Sequence, residues 1–137
     1  MTAENLCLCG SGQLYQGCCQ LYHQGAQLPP TPEALMRSRY SAYALGNVRY
    51  IIETTHADSP YMQKNKSQWI KSLKDYTDRT TFVGLLVQET AIEEEGKTGY
   101  VTFSAVLLQD GKNASFSEKS RFFLVNGRWL YVDGDVS

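Results

Sequence analysis

The sequence has few of the features that would assign a protein to a membrane or to nucleic acid. No basic segment precedes an apolar one at the N-terminus, as it would in a signal peptide, and no apolar run is long enough to cross a membrane. The formal net charge of the 137 residues is −1, which gives no overall electrostatic reason to expect nucleic acid as a partner. We therefore expect a cytoplasmic protein that neither inserts into membranes nor binds nucleic acid.

The motifs of several enzyme classes are absent as well. The sequence has no nucleophile elbow, no glycine-rich phosphate-binding loop, no paired-histidine metal motif and no dinucleotide fingerprint. Among the first thirty residues Glu4 is the only charged side chain, leaving histidine aside. We therefore favour a binding protein, and an enzyme is the alternative.

All four cysteines lie within the first nineteen residues. Cys7 and Cys9 form a Cys-x-Cys pair, Cys18 and Cys19 are adjacent, and a Gly-Ser-Gly segment between the pairs allows the backbone to turn sharply. Four thiolates are the complete ligand set of a structural zinc site, and clustered cysteines in a reducing compartment more often bind metal than form disulfides. We predict that these four cysteines bind one zinc ion.

Two alternatives to the four-cysteine site remain. Disulfide or redox chemistry fits the cysteine count, although catalytic thiol pairs more often have two residues between the cysteines. His23, four residues after Cys19, is a further zinc ligand by type and could replace one sulfur. The sequence does not decide between His23 and a cysteine.

A pair of prolines divides the chain. Gln27-Leu28-Pro29-Pro30 favours an extended connection. We therefore predict a zinc-binding segment over residues 1–28 and a larger domain over residues 29–137.

The first half of the larger domain has the pattern of helices. Thr31 is a good N-cap, Pro32 suits the first helical position, and Gly46 is a natural stop. Two further helices are predicted over residues 47–55 and 67–76 from their caps and apolar spacing.

The second half has the pattern of strands. β-branched and aromatic residues are frequent there, and the breaks carry turn residues, including the Asn126-Gly127 pair of a tight hairpin. Short connections favour an antiparallel meander, so we predict an α+β domain with helices on one face of a curved sheet. The predicted strands cover residues 81–93, 98–108, 114–125 and 128–133.

Two sets of residues resemble known families. The segment from Cys7 to Cys19, CLCGSGQLYQGCC, resembles the SEC-C motif, the zinc module at the C-terminus of the translocation ATPase SecA. The segments 35–43, 55–56, 116–122 and 127–134 resemble the uncharacterised bacterial YchJ family. This resemblance implies a SEC-C segment followed by a nuclear transport factor 2-like (NTF2-like) domain, a cone of helices on a curved antiparallel sheet.

Folds of this type often enclose a pocket, so polar and aromatic residues of the larger domain are candidates for a ligand site. Strand alternation separates Glu118 from Arg121 and places Trp129, Tyr131 and Asp133 on one face. Arg37 and Arg39 point in roughly opposite directions on the first helix, so at most one of them faces the sheet. An ion pair of that arginine with Glu118 or Asp133 is the simpler explanation for the charged residues, and core packing is the simpler explanation for the aromatic ones. The candidate pocket residues are Tyr40, His56, Glu118, Arg121, Trp129, Tyr131 and Asp133.

The sequence supports two functional hypotheses. In the first, the zinc segment presents a small uncharged surface to a protein partner, and the resemblance to the SecA tail suggests protein export or translation. In the second, the larger domain binds a small molecule, or acts as an enzyme, through its pocket. We favour the first because no catalytic constellation emerges from the sequence.

Overall fold

The computed structural model of the protein describes residues 6–136. Glu4 and the first residues of the predicted zinc-binding segment therefore lie outside the described residues, as does Ser137. The described part of the chain consists of helices followed by strands. The helices are α1 (Cys19–His23), α2 (Pro32–Leu45), α3 (Val48–Glu53) and α4 (Lys66–Arg79), and the strands are β1 (Thr80–Ile92), β2 (Thr98–Gln109), β3 (Lys112–Asn113), β4 (Phe116–Val125) and β5 (Arg128–Val136).

Local sequence signals determine both ends of α2. The Thr31 hydroxyl accepts a hydrogen bond from the backbone amide of Ala34 at 3.0 Å, and Pro32 occupies the first helical position. Gly46 ends the helix in the left-handed conformation, with φ of 75°. The predicted bounds of this helix are confirmed.

The next two helices differ modestly from their predicted bounds. Asn47 caps α3 through its side-chain oxygen, as its sequence position indicates, but the helix ends at Glu53 rather than near residue 55. Helix α4 is longer than predicted, because Asn65 caps it at the start and it continues to Arg79. The short helix α1 is an element that the sequence reading did not anticipate.

The strands form one antiparallel sheet in the order β1-β2-β4-β5, and β3 pairs with β2. Asn126 and Gly127 both have positive φ, 52° and 80°, as the tight turn between β4 and β5 requires. The expected α+β architecture is therefore confirmed.

One irregularity of the sheet changes which residues share a face. Arg121 pairs with Asp133, but the next residue, Phe122, pairs with Tyr131, so that Val132 is an extra residue in β5. This bulge reverses the alternation of side chains beyond it. Trp129 and Tyr131 share a face as expected, whereas Asp133 turns to the opposite face beside Arg121.

The main core lies between α2 and the inner face of the sheet. Leu35, Met36 and Tyr40 of the helix pack against alternate residues of β2 and against Phe122 and Trp129. The residues of β2 in this core are Val101, Phe103, Ala105 and Leu107. Among the described residues, none of the helices is both long and apolar enough to span a membrane.

Candidate functional site

The four cysteines converge at one point. Their Sγ atoms all lie within 4.8 Å of one another, and Cys7, Cys9 and Cys19 are buried while Cys18 is half-buried. None of the four sulfurs is in a disulfide. The four therefore form a compact cluster of thiols, which we call the cysteine cluster.

Local turns bring the two cysteine pairs together. The backbone amide of Cys7 donates to the carbonyl of Gln13 at 2.8 Å, which closes a small loop around Gly10 and Gly12. Both glycines have φ of 83°, a conformation that favours glycine. A 3-10 turn over Tyr15–Gly17 then leads into α1 and places Cys18 and Cys19 opposite the loop.

The sulfur separations fit a tetrahedral metal. Cys9 Sγ lies 3.7 Å from Cys18 Sγ, and Cys18 Sγ lies 3.9 Å from Cys19 Sγ. Tetrahedral zinc–sulfur bonds of about 2.3 Å place neighbouring sulfurs about 3.8 Å apart, whereas a disulfide needs about 2 Å. The cluster could therefore hold a metal ion, and the four thiols fit a tetrahedral ligand set.

The thiols perturb one another strongly. Hydrogen bonds with Cys19 and Cys9 hold the pKa of the Cys7 thiol well below its usual range. Hydrogen bonds with Cys7 and Cys9, together with burial, raise the pKa of Cys19. The pKa of Cys7 and the pKa of Cys19 are thus shifted in opposite directions, and a bound divalent cation would stabilise the thiolate form of all four sulfurs.

His23 does not contribute a free nitrogen to the cluster. Its Nε2 lies 2.8 Å from the carbonyl oxygen of Ser38, and its Nδ1 lies 2.7 Å from the Tyr15 hydroxyl. Because a carbonyl only accepts, Nε2 donates and Nδ1 accepts from the tyrosine. Burial lowers the pKa of His23, which favours this neutral form. His23 therefore connects the cysteine-bearing segment to α2.

Arginines reinforce this connection. Arg37 of α2 donates to the carbonyl oxygen of Cys9 at 2.7 Å and to the carboxylate of Glu33 at 2.9 Å. Arg49 of α3 donates to the carbonyl oxygen of His23 at 3.1 Å. The cysteine-bearing segment is therefore fixed to α2 and α3, and one of the two guanidinium groups, that of Arg37, contacts the backbone of a cysteine in the cluster.

The larger domain encloses a cavity of about 600 Å³ between the inner face of the sheet and α2, α3 and α4. Its walls are largely aromatic and aliphatic, from Met36, Tyr43, Trp69, Leu73, Tyr76, Phe82, Phe103, Ala105, Leu107, Phe116 and Phe122.

A buried guanidinium lies in the wall of this cavity. Arg39 is only 8% exposed, and its Nη1 donates to the carbonyl oxygen of Ile51 at 3.1 Å and to the Thr54 and Thr55 hydroxyls at 2.7 and 3.3 Å. The guanidinium carbon lies 4.6 Å from the centroid of the Tyr131 ring, a cation–π arrangement. Among the described residues, no carboxylate forms an ion pair with Arg39.

A carboxylate occupies the other end of Tyr131. Glu118 Oε2 accepts hydrogen bonds from the Tyr131 hydroxyl at 3.1 Å and from the Ser120 hydroxyl at 2.5 Å. Burial, followed by the negative charge of Glu118, raises the pKa of Tyr131. The hydroxyl therefore stays protonated and donates to Glu118. Three groups of the cavity, Arg39, Tyr131 and Glu118, thus form a polar strip on a wall that is largely aromatic and aliphatic.

The candidate pocket residues fall into two groups. Tyr40, Glu118 and Tyr131 line the cavity. The Tyr40 hydroxyl is buried without a hydrogen-bond partner among the described residues, and burial raises its pKa to about 12.

The other four candidates lie elsewhere. Trp129 is buried in the core beside the cavity. The His56 ring packs edge-on against Phe123, with centroids 5.2 Å apart, and its Nδ1 accepts from the backbone amide of Asp58 at 2.9 Å. Arg121 and Asp133 form a two-point ion pair on the outer face of the sheet, at 3.0 and 2.7 Å.

The sequence reading did not place Arg39 in the candidate set. It treated an inward arginine of α2 as the partner of Glu118 or Asp133, and the structure corrects this, because Asp133 pairs with Arg121 and Glu118 accepts hydroxyl donors. The spacing of Met36, Arg39, Tyr40 and Tyr43 on one side of α2 was the signal available in the sequence.

Comparison with known proteins agrees with both parts of the molecule. A family model described as YchJ, middle NTF2-like domain, matches residues 31–134. The UPF0225 protein of Serratia proteamaculans is 40% identical over 131 residues, which cover 94% of this chain and 82% of that protein.

Two solved structures extend the similarity to the cysteine-bearing segment. A SEC-C motif containing protein from Rhodopseudomonas palustris matches with a TM-score of 0.80 and 33% identity, over 94% of this chain and 96% of that one. A SEC-C motif containing protein from Psychrobacter arcticus matches with a TM-score of 0.74 and 28% identity, over 96% and 82%. These matches span both the cluster and the cavity domain.

Proposed function

This chain belongs to the YchJ family, with its middle NTF2-like domain, and we propose that it is a receptor for a small organic molecule that binds in the cavity of that domain. The cavity carries this proposal. Its volume of about 600 Å³ lies within the range of small-molecule sites, about 300–1,000 Å³. Like those sites, it combines apolar walls with a few polar groups.

The polar strip supplies recognition rather than a catalytic apparatus. The groups of the strip are a guanidinium, a carboxylate and a neutral phenol, and no cysteine or histidine is among the described residues that line the cavity. We therefore infer a binding function, in which the apolar walls provide affinity and the strip orients the ligand.

In this proposal the cysteine cluster holds a structural zinc ion that stabilises the cysteine-bearing segment and its contacts with α2. Helix α2 carries Arg39 and Tyr40 on its cavity side, and Arg37 and Ser38 contact the cysteine-bearing segment on the other side. A zinc-bound segment would therefore fix the helix that forms one wall of the cavity. The support for zinc is the tetrahedral spacing of the sulfurs and the closed, largely buried ligand set.

A matched pair of substitutions on one strand tests the receptor. Ala105 of β2 lines the cavity, whereas its neighbour Val106 points to the outer face and is 45% exposed. Ala105→Phe should fill part of the cavity, and Val106→Phe adds a side chain to the outside. The measurement is the chemical-shift change of the full chain on titration with a panel of aromatic and alicyclic acids, amides and alcohols.

We expect wild type and Val106→Phe to bind members of the panel, with shifts at the cavity residues. Ala105→Phe should weaken that binding at least about tenfold, because the inserted ring occupies the ligand volume. Absence of any binding to the wild type, or binding that Ala105→Phe leaves intact, would contradict the proposal.

A second candidate function is docking of the cysteine-bearing segment to another protein. Three leucines near the cluster in the chain, Leu6, Leu8 and Leu14, are 43%, 47% and 43% exposed, and contiguous exposed apolar surface is typical of protein interaction sites. With the likeness to SEC-C proteins, this exposure supports a protein partner, for which protein export and translation are the processes we propose. Neither the cavity nor its polar strip has a role in this candidate, so we place it second.

A further inference from the structure

We propose that the ligand of the cavity is an organic monocarboxylate with an aromatic or alicyclic body, held by its carboxylate on Arg39. This inference rests on the proposed receptor function and adds the chemical class of the ligand. It starts from a difference between the two charged groups of the polar strip. Arg39 has N–H donors without a hydrogen-bond partner among the described residues, whereas the Glu118 carboxylate already accepts two hydrogen bonds.

Arg39 has unused donors where a ligand can reach them. Its hydrogen bonds all come from Nη1, to Ile51, Thr54 and Thr55, whereas Nε and Nη2 make none to the described residues. The side chain is more than nine-tenths buried and lines the cavity. A buried guanidinium without a counter-charge is costly, and an anion that enters the cavity would remove that cost.

Three carboxylates of the larger domain that could have paired with Arg39 have other partners. Glu118 accepts two hydroxyl hydrogen bonds, Asp133 is paired with Arg121 on the outer face, and Glu53 is paired with Arg49. Arg39 therefore keeps N–H donors for a ligand in the cavity, and Glu118 has hydrogen-bond partners other than Arg39.

The shape and the chemistry of the site favour a planar anion on an apolar body. A guanidinium presents parallel N–H donors that match the two oxygens of a carboxylate. Most of the remaining wall is aromatic or aliphatic, so it would hold a ring or an alkyl frame. Glu118, at the far end of the Tyr131 ring, would repel a second negative charge, which makes a monocarboxylate a better ligand than a dicarboxylate.

The test compares an acid with its uncharged amide. Isothermal titration of the full, zinc-loaded chain is carried out at neutral pH with 2-naphthylacetate and with 2-naphthylacetamide, which have nearly the same shape. We expect the acid to bind at least about tenfold more tightly, as for hydrogen bonds to a buried charged partner. Arg39→Met should remove this preference, and Arg79→Met, at an exposed arginine on the end of α4, should retain it.

Each outcome has a defined meaning. Equal affinity of the wild type for the acid and the amide would overturn the carboxylate assignment and leave the receptor in place. A preference for the acid that persists in a folded Arg39→Met variant would place the anion elsewhere and also overturn the assignment. If Arg39→Met fails to fold, the wild-type comparison, together with competition by naphthalene-2,6-dicarboxylate, still decides: the dicarboxylate must bind more weakly than the monocarboxylate. Absence of binding by all the probes would overturn the receptor itself.

Discussion

The cysteine cluster and the cavity are built by different rules. The cluster draws its four sulfurs from a short stretch, Cys7 to Cys19, and the turns between them are set by glycines and local hydrogen bonds. The cavity draws its polar strip from positions far apart in the chain, Arg39 on α2, Glu118 on β4 and Tyr131 on β5. A local site can therefore be located from spacing, whereas a distributed site depends on how helices and strands are oriented against one another.

The two regions also differ in their source of stability. Within residues 6–24, the cysteine-bearing segment has almost no apolar core of its own apart from the cysteines and Tyr15. The larger domain has a core of α2 against the sheet. The first region should thus depend on a metal and on its contacts to α2, whereas the second should be stable without the metal.

Loss of the proposed zinc ion should have the largest effect, and that effect should be confined to one region. Cys19 is buried in the cluster, and Cys19→Ser replaces a thiolate with a poor zinc ligand. Zinc in small structural sites contributes on the order of 10 kcal/mol, so we expect zinc content to fall from one per chain and residues 6–25 to lose their dispersed amide signals. Metal analysis and amide NMR spectra measure both.

The control for this prediction is Gln16→Ser, at an exposed position between the cysteine pairs, which should keep its zinc. Residues after Thr31 should remain folded in the Cys19→Ser variant. Complete unfolding would show that the boundary near residue 28 does not separate two units of stability. Cys19→Ser also tests the second candidate function. A protein partner that docks on the cysteine-bearing segment should no longer bind to this variant.

Sequence reasoning succeeded where the signal was local. Thr31, Pro32 and Gly46 define α2 to the residue, and Asn126-Gly127 defines the β4–β5 turn, because each acts on its own backbone. The prediction of the face on which Asp133 lies is wrong. The alternation of residues in β5 does not reveal the bulge at Val132, which turns this carboxylate to the outer face. The partners of Arg39 could not be predicted either, because Ile51 and Thr54 become its neighbours only when α3 packs on α2.

Removal of the connection between the regions should have an intermediate effect. His23→Ala deletes the hydrogen bonds to Ser38 and Tyr15 and the edge contact with the Tyr50 ring, whose centroid lies 4.7 Å away. We expect a loss of about 2–4 kcal/mol in the free energy of unfolding. Zinc content should not change, because both ring nitrogens have other partners.

Urea unfolding and metal analysis of the same samples check this prediction. Gln24→Ala, at the exposed neighbouring position, is the matched control and should alter neither quantity. A fall in zinc content for His23→Ala alone would identify His23 as a zinc ligand. It would contradict the assignment of His23 as a residue that only connects the segment to α2.

The smallest effect is expected for the ion pair on the outer face. Arg121 and Asp133 have side chains that are 41% and 35% exposed, and exposed pairs contribute about 0.2–1 kcal/mol. A double-mutant cycle with Arg121→Met and Asp133→Asn should return a coupling energy in that range.

Neither substitution should alter the affinity for a cavity ligand, whereas Glu118→Gln, on the inner face of β4, should alter it. An equal effect of Asp133→Asn and Glu118→Gln on affinity would mean that the bulge in β5 does not separate the outer ion pair from the site. Selectivity of the effect for Glu118 would show that one extra residue in a strand decides which carboxylate a ligand meets.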